Sequence, residues 1–392
     1  MVLLGFRKVA VCLLLIAATG ALVGCRPPWE SDEIVLKVPT VDIARIRQDA
    51  IVVLQHAAGD DLASNRFVAM EAIPAALGPK GGPICKQALE DPSPEVRVAA
   101  AMGIGDLRYK PAMEKLQRMA QFKVQGAERD ARAYCAVIYA LHRLGDESHT
   151  TNLGSMLFDR EKEVRAVAIM VMGKMGLKAA ISPLKSALAD ETDDNLRFEL
   201  TRALARCGDK RSLRRLEGHT IGRFVDEQII AVNAMLELQS PMCRTIFTSL
   251  ANNDRSPRVR TVAAGGLAEL QHETPELFAY CSRAALEPRQ VMQEALGSTQ
   301  KPSEKQVAFL QSLAATAMGN FKHPQAIDVV GKLLKSDNVL VRIAAAAAVL
   351  KSVPQLRDAE PINIIKKAQP VTDIPSKPVT KRPKLHTAGG KD

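Results

Sequence analysis

Three groups of side chains in this sequence have the types and spacing for chemistry. The first is a recurring arginine, at Arg66, Arg97, Arg165, Arg197, Arg260 and Arg342. The numbering steps by 31 from Arg66 to Arg97 and by 32 from Arg165 to Arg197; Gln228 then follows after 31 and Arg260 after another 32. A ladder of cations at constant period could hold an anionic ligand. The structural reading is stronger, because an Arg one turn after Asp91, Asp159, Asp190, Asp254 or Asp337 can pair with a loop carboxylate of its own or the neighbouring repeat, and a bidentate pair fixes loop geometry. The second group is the densest charge run, Arg202, Arg206, Lys210, Arg211, Arg214, Arg215 and Arg223 against Asp209 and Glu217. It reads either as a solvated helix face or as a patch for an acidic partner, such as an anionic protein surface or a cell-envelope polymer. The third comprises the classical catalytic types. The seven histidines, His56, His142, His149, His219, His272, His323 and His386, are dispersed, and only His272-Glu273 forms a His-Glu pair. No H-E-x-x-H, G-x-S-x-G or Walker-type loop occurs. Of seven cysteines, Cys12 and Cys25 lie in the apolar N-terminus. The remaining five are odd in number, widely spaced and without C-x-x-C, so they indicate neither a disulfide framework nor a zinc site and read as small buried hydrophobes. The expectation is a non-enzyme without metal or cofactor.

The elements that position these residues are helices. Residues 91–106, D-P-S-P-E-V-R-V-A-A-A-M-G-I-G-D, are the clearest unit: a turn-forming opening, Val-Arg, an Ala-rich run suited to close helix packing, and Gly-Asp as the stop. Copies surround each recurring arginine. Degenerate copies put Tyr134 and Gln228 at the register position. A shorter amphipathic segment precedes each mark, for example 111–122, 179–190 and 241–251, which makes each repeat a helix pair. Between Arg260 and Arg342 the 82-residue gap predicts one pair, 275–286 and 303–318, interrupted by a polar insertion at 287–302 where function is readily added. With 392 residues, 47% hydrophobic but only 4% aromatic, the chain has material for a large core and favours small-residue helix packing over a β-sandwich. The fold class is all-α, an α-solenoid of about eight to nine helix pairs over residues 41–355.

The ends differ from this body. Arg7 and Lys8 precede a short apolar run, 9–21, that ends in Leu22-Val23-Gly24-Cys25. Residues 26–40, with Pro27, Pro28 and Pro39, read as a tether. Residues 356–392 read as a cap, in which 362–367 close the array, and a disordered basic tail with Pro370, Pro375, Pro378 and Pro383. Of the formal charge of +10, residues 1–24 carry +2 and residues 361–392 carry +5, which leaves +3 for the body. The basicity is therefore that of a tail, and no nucleic-acid partner is expected. Lys377, Lys381, Arg382 and Lys384 serve as a solubilising end or as a weak attraction to anionic lipid or polymer.

Residues 1–25 resemble a bacterial lipoprotein signal, whose box is an aliphatic residue, a small or aliphatic one, a small one and Cys. The resemblance implies a signal peptide over 1–24 and a lipid on Cys25, and several acyl chains anchor where one binds only reversibly. Arg26 after the lipidated residue points to the outer membrane, facing the periplasm, over the inner membrane. The repeats, by Val-Arg, alanines, then Leu or Ile and Gly, resemble the short HEAT-like repeats of the phycobilisome lyase type. They lack the tetratricopeptide and ankyrin patterns. The resemblance implies a curved α-solenoid in which each pair buries an apolar face against the next. Deoxyhypusine hydroxylase, an enzyme on this fold, uses repeated His-Glu pairs for a di-iron site, and here there is a single pair. Lyase activity is not carried by the repeats alone. The expected function is a membrane-anchored protein–protein interaction scaffold or assembly factor of the cell envelope, binding a protein through its helix-B surface. The alternative is a HEAT-repeat enzyme or lyase-type accessory protein acting on a protein substrate.

Overall fold

The computed structural model describes residues 42–121, 130–297 and 301–352. Among them the only regular structure is helical, and the helices come in pairs. The first pair is α1 (Ile43–Ala58) and α2 (Ala63–Leu77), followed by α3 (Gly82–Ala88) with α4 (Pro94–Leu107) and α5 (Met113–Gln121) with α6 (Ala131–Leu144). Next come α7 (Leu153–Met156) with α8 (Lys162–Met175), α9 (Ile181–Asp190) with α10 (Asp194–Arg206), and α11 (Lys210–His219) with α12 (Val225–Glu237). The last three are α13 (Cys243–Asn253) with α14 (Pro257–Glu269), α15 (Pro275–Leu286) with α17 (Glu304–Met318), and α18 (Ala326–Leu333) with α19 (Val339–Ser352); α16 (Pro288–Leu296) is inserted in the eighth pair. The polar stretch expected at 287–302 thus contains a helix, seated by buried Pro288, Val291 and Met292. The signal, tether and C-terminal cap and tail expected from the sequence lie outside the described residues.

Local sequence sets the helix starts. In the 91–94 turn, Asp91 Oδ1 accepts the Ser93 N–H at 2.9 Å and Pro94 opens α4 at a position that needs no donor. The same device recurs before α14, where Asp254 Oδ1 accepts the Ser256 N–H at 2.7 Å ahead of Pro257. Asp130 and Asp193 cap α6 and α10 directly. Glycine ends α6 and α8, through Gly145 and Gly176 in the left-handed region. The expected stop at Gly105-Asp106 is not where α4 ends. The helix runs on to Leu107, and Arg108 takes the left-handed turn at φ 47°. Gly105 is instead a packing residue, since a Cβ there would lie 2.5 Å from the Tyr139 ring.

The second helix of each pair faces inward, and successive inner helices pack on one another: α2 on α4, then α6, α8 and α10, and again from α12 through α14, α17 and α19. Between α10 and α12 the contact passes largely through α11, around a separate small core of Phe198, Ala205, Leu216, Ala231 and Ala234. The inner helices approach through small residues. A Cβ on Gly173 would lie 2.8 Å from the Ala203 Cα, one on Gly265 2.9 Å from the Ala317 Cα, and one on Gly319 2.9 Å from the Ala348 Cα. Such backbone contact leaves no room for a side chain.

The array closes on itself. Helix α19 packs along both α1 and α2, and Gly331 of α18 lies so near Ile46 of α1 that a Cβ would approach its Cδ1 to 2.9 Å. This explains α19, V-L-V-R-I-A-A-A-A-A-V-L-K-S, which buries Val341, Ile343, Ala345, Ala346, Ala348, Val349 and Leu350 and carries no polar capping face. An open solenoid needs a polar terminal repeat for solubility. Here the first pair covers the last. Replacing Gly173 with Val is expected to part α8 from α10 and lower unfolding stability by about 1–3 kcal/mol, the usual cost of overpacking. Gly154→Ala, where a Cβ meets nothing within 4 Å, is the matched control and leaves the melting transition in place.

Candidate functional site

The recurring arginines all stand four residues after the N-cap of an inner helix, and the structure assigns them to stacking. Arg66 Nη1 donates to the carbonyls of Asp60 and Asp61 in its own loop at 2.9 and 3.0 Å, while Nε and Nη2 grip both carboxylate oxygens of Asp91 in the next loop, each at 2.8 Å. Arg97 repeats this with the carbonyls of Asp91 and Pro92 and the carboxylate of Asp130 at 2.7 Å. Arg165 uses the carbonyls of Asp159 and Arg160 and the carboxylate of Glu191, at 2.9 and 3.3 Å.

Of the two expected pairings, own loop or neighbouring repeat, these three arginines take the second. The aspartates of the arginine's own loop supply backbone carbonyls, and the carboxylate comes from the following repeat. Asp190 and Asp337 do not offer carboxylates to these arginines; Arg197 holds the carbonyls of Leu188 and Glu191, and Arg342 those of Ser336 and Asp337. Arg260 donates to the Ala251 carbonyl at 3.1 Å and lies over the Tyr280 ring, 4.3 Å from its centroid. Gln228 keeps the same two-way contact, to the Thr220 carbonyl and to the Asp254 carboxylate. Tyr134 is buried and its hydroxyl accepts from Asn152 Nδ2 at 2.7 Å.

The seven-residue basic run divides. Arg202 and Arg206 lie on the inner wall, ion-paired with Glu199 and Glu237, so they are not part of an outer patch. The reason is the period of α10, whose inward stripe contains both. Lys210, Arg211, Arg214 and Arg215 on α11, with Arg223 in the following loop, are exposed and have no ion-pair partner among the described residues. Beside Arg223 stand Ile221, 76% exposed, and Phe224, 67% exposed, the two most exposed large apolar side chains of the described residues. Polarity alone flagged this run in the sequence, whereas the apolar pair gave no signal because I-G-R-F has no period.

Sequence reasoning missed the inner wall. A cavity of about 520 Å³ is lined by α2, α4, α6, α8 and α10, with an apolar floor of Phe67, Met70, Val98, Met102, Val167 and Met170. Tyr139 Oη donates to Asp106 Oδ1 at 2.6 Å, and Lys174 Nζ donates to Asp106 Oδ2 at 2.5 Å. Burial, then the bond to Asp106, pushes the Tyr139 phenol well above its usual range, so it stays protonated as a donor. Arg132 pairs with Glu95. Glu71 lines the cavity with its side chain still open to solvent; partial loss of solvation raises its pKa, and Lys174 offsets this only in part. Each residue is ordinary in sequence, and only the bend of the array brings them together.

Glu273 of the His-Glu pair accepts the Lys322 N–H at 2.9 Å and so caps a loop. Cys85, Cys135, Cys207, Cys243 and Cys281 are buried thiols outside any disulfide, and burial pushes Cys85 and Cys281 up to about 12. No helix of the described residues is long and apolar enough to cross a membrane.

Losing Arg66 strands Asp91, whose side chain is 10% exposed. Arg66→Met is therefore expected to cost about 3 kcal/mol in chemical denaturation, against about 1–2 kcal/mol for Arg342→Met, which loses only carbonyl contacts. Burial raises the Asp91 and Glu191 pKa values, but bonds from Arg66 and Arg165 and from backbone N–H groups outweigh it and hold both below the usual carboxylate range. Lys185, Ser212 and the Ser212 N–H hold Asp209 at about 2 against its burial. Depressed folded-state values mean stability that is full above the unfolded carboxylate pKa of about 4 and is lost as pH falls through the folded values. Denaturation midpoints should fall between about pH 4 and pH 2, and less steeply in Arg66→Met.

Comparison with known families agrees with this geometry. Residues 82–107, which form α3 and α4, match the HEAT repeat, and residues 123–205, which run to α10, match HEAT repeats. No curated protein matches the chain. The remaining pairs stack on the same plan, and the chain is a HEAT-like repeat protein with an all-α solenoid fold.

Proposed function

We propose that this chain is a lipid-anchored interaction scaffold of the bacterial cell envelope, held through Cys25, and that the corner formed by α11 and the loop into α12 docks a protein partner with an acidic surface. One observation carries the reading: five exposed cations without an ion pair among the described residues, Lys210, Arg211, Arg214, Arg215 and Arg223, lie on the same helix and following loop as the exposed Ile221 and Phe224. An apolar centre with a charged border is how protein interfaces are built, the border steering association and the centre supplying the burial. The repeats support the scaffold class, since HEAT repeats typically serve protein interaction. The lipoprotein box at 22–25 supports the anchor.

Affinity capture of the lipidated protein from its native envelope tests this. The wild type should retain a discrete partner and the Arg211→Glu/Arg214→Glu/Arg215→Glu variant should lose at least tenfold of it, while Cys25→Ser should leave the membrane fraction. An unchanged partner set in the charge-reversal variant would overturn the docking assignment, and a membrane-bound Cys25→Ser protein would overturn the anchor.

A further inference from the structure

The arginine ladder is incomplete at two of its steps. Four of the six recurring arginines reach forward to the next pair: Arg66 to Asp91, Arg97 to Asp130, Arg165 to Glu191 and Arg260 to the Tyr280 ring. Arg197 and Arg342 do not. Nη1 of each holds two carbonyls, those of Leu188 and Glu191 for Arg197 and those of Ser336 and Asp337 for Arg342. Their Nε and Nη2, the edge with which Arg66 grips Asp91, have no hydrogen-bond partner among the described residues.

The two gaps have different causes. Asp91, Glu191 and Asp254 each stand six residues before the register position of their own repeat, at Arg97, Arg197 and Arg260. The loop that follows Arg342 around the ring has such a carboxylate, Asp60, six residues before Arg66, but its Oδ1 is taken by the Leu62 N–H at 2.9 Å and by Asn65 Nδ2 at 3.0 Å. The loop that follows Arg197 has none: six residues before Gln228 stands Gly222. That same loop exposes Ile221, Arg223 and Phe224. It lies against the helix that bears the arginine, because Phe198, the residue after Arg197, meets the His219 ring edge-on with centroids 4.8 Å apart. Arg197 is exposed, yet its guanidinium is held: bonds of 3.1 and 2.8 Å to the two carbonyls fix Nη1 and orient the free edge before any ligand arrives. A planar fork held in this way can take a carboxylate through two parallel bonds, which a lysine cannot reproduce. Much of the side-chain entropy is then lost on folding rather than on association.

We propose that Arg197 is the specificity-determining residue of the α11 corner, and that it receives a carboxylate of the docked protein in the place where other steps of the ladder supply their own. The group it takes is an aspartate or glutamate side chain next to an apolar residue. Ile221 and Phe224 take the apolar residue, and the cover this provides removes water from the ion pair and strengthens it. This role presupposes the docking corner proposed above.

Binding of a fluorescein-labelled peptide of alternating aspartate and leucine to the full chain, followed by anisotropy, tests it. Arg197→Lys keeps the charge and loses the fork, and Arg342→Lys makes the same change in an arginine with the same kind of carbonyl contacts, away from the corner. Arg197→Lys should weaken binding about tenfold while Arg342→Lys leaves it unchanged, the two melting temperatures falling alike. Wild-type affinity in Arg197→Lys, for a peptide that Arg211→Glu/Arg214→Glu/Arg215→Glu no longer binds, would overturn the role of Arg197 and leave the corner standing. Equal losses in Arg197→Lys and Arg342→Lys would overturn that role as well. Undiminished binding by the charge-reversal variant would remove the corner, and Arg197 with it.

Discussion

Where two inner helices of this protein meet, the contact is backbone against backbone. Gly173 rests on Ala203, Gly265 on Ala317 and Gly319 on Ala348, each at a distance a Cβ could not share. The outer helices of neighbouring pairs, α15 and α18 excepted, have little contact with each other and lie chiefly against the inner ones. Inner helices that converge while outer helices stay apart bend the array at every step, and the bend is what brings α19 back to α1 and α2. The alanine-rich register of the repeats is thus a curvature code. Its cost is that no inner contact tolerates enlargement, because interiors at this density relax little.

Closure changes what the arginine ladder is for. In an open stack each Arg–carboxylate pair would hold two repeats. In a ring the pairs also set the angle that has to sum to a full turn, and the partners come from different atoms at different steps: a carboxylate at Asp91, Asp130 and Glu191, a carboxamide at Gln228, an aromatic face at Tyr280. What is kept is the two-way grip, back to the chain's own loop and forward to the next. The step from α10 to α12 is the looser one, bridged by α11 and the contact between Phe198 and His219, and it is there that the unpaired cations and the exposed Ile221 and Phe224 gather.

Much of the architecture was legible in the residues. The regular period of the recurring arginines, Asp-x-Ser-Pro before α4 and the alanines after Arg97 act over short distances, and local rules of turn and helix chemistry read them correctly. The ring was not legible, because it follows from small rotations added over all the pairs, and no single window contains that sum. The one local hint was α19, too apolar for the last helix of an open stack. The inner cavity depended on the same curvature: Glu71, Asp106, Tyr139 and Lys174 are far apart in sequence and share a site only once the successive helices bearing them have curved together. For the same reason Arg202 and Arg206 were read with Arg211 and Arg214, although the turn at Gly208 sends the two sets to opposite sides of the wall.

The packing of the last pair on the first closes the ring, and the distance between its two ends tests closure most directly. Gln48 on α1 and Lys332 on α18 are exposed and flank the closing contact of Ile46 with Gly331. With Cys12 and Cys25 replaced by Ser, spin labels on Gln48→Cys and Lys332→Cys can be compared by electron–electron double resonance, the five native thiols being buried. Helices packed at about 8–10 Å predict a narrow distribution at about 15–30 Å, whereas eight open steps of that size would separate the ends by about 70 Å. A single population near the longer distance would contradict closure.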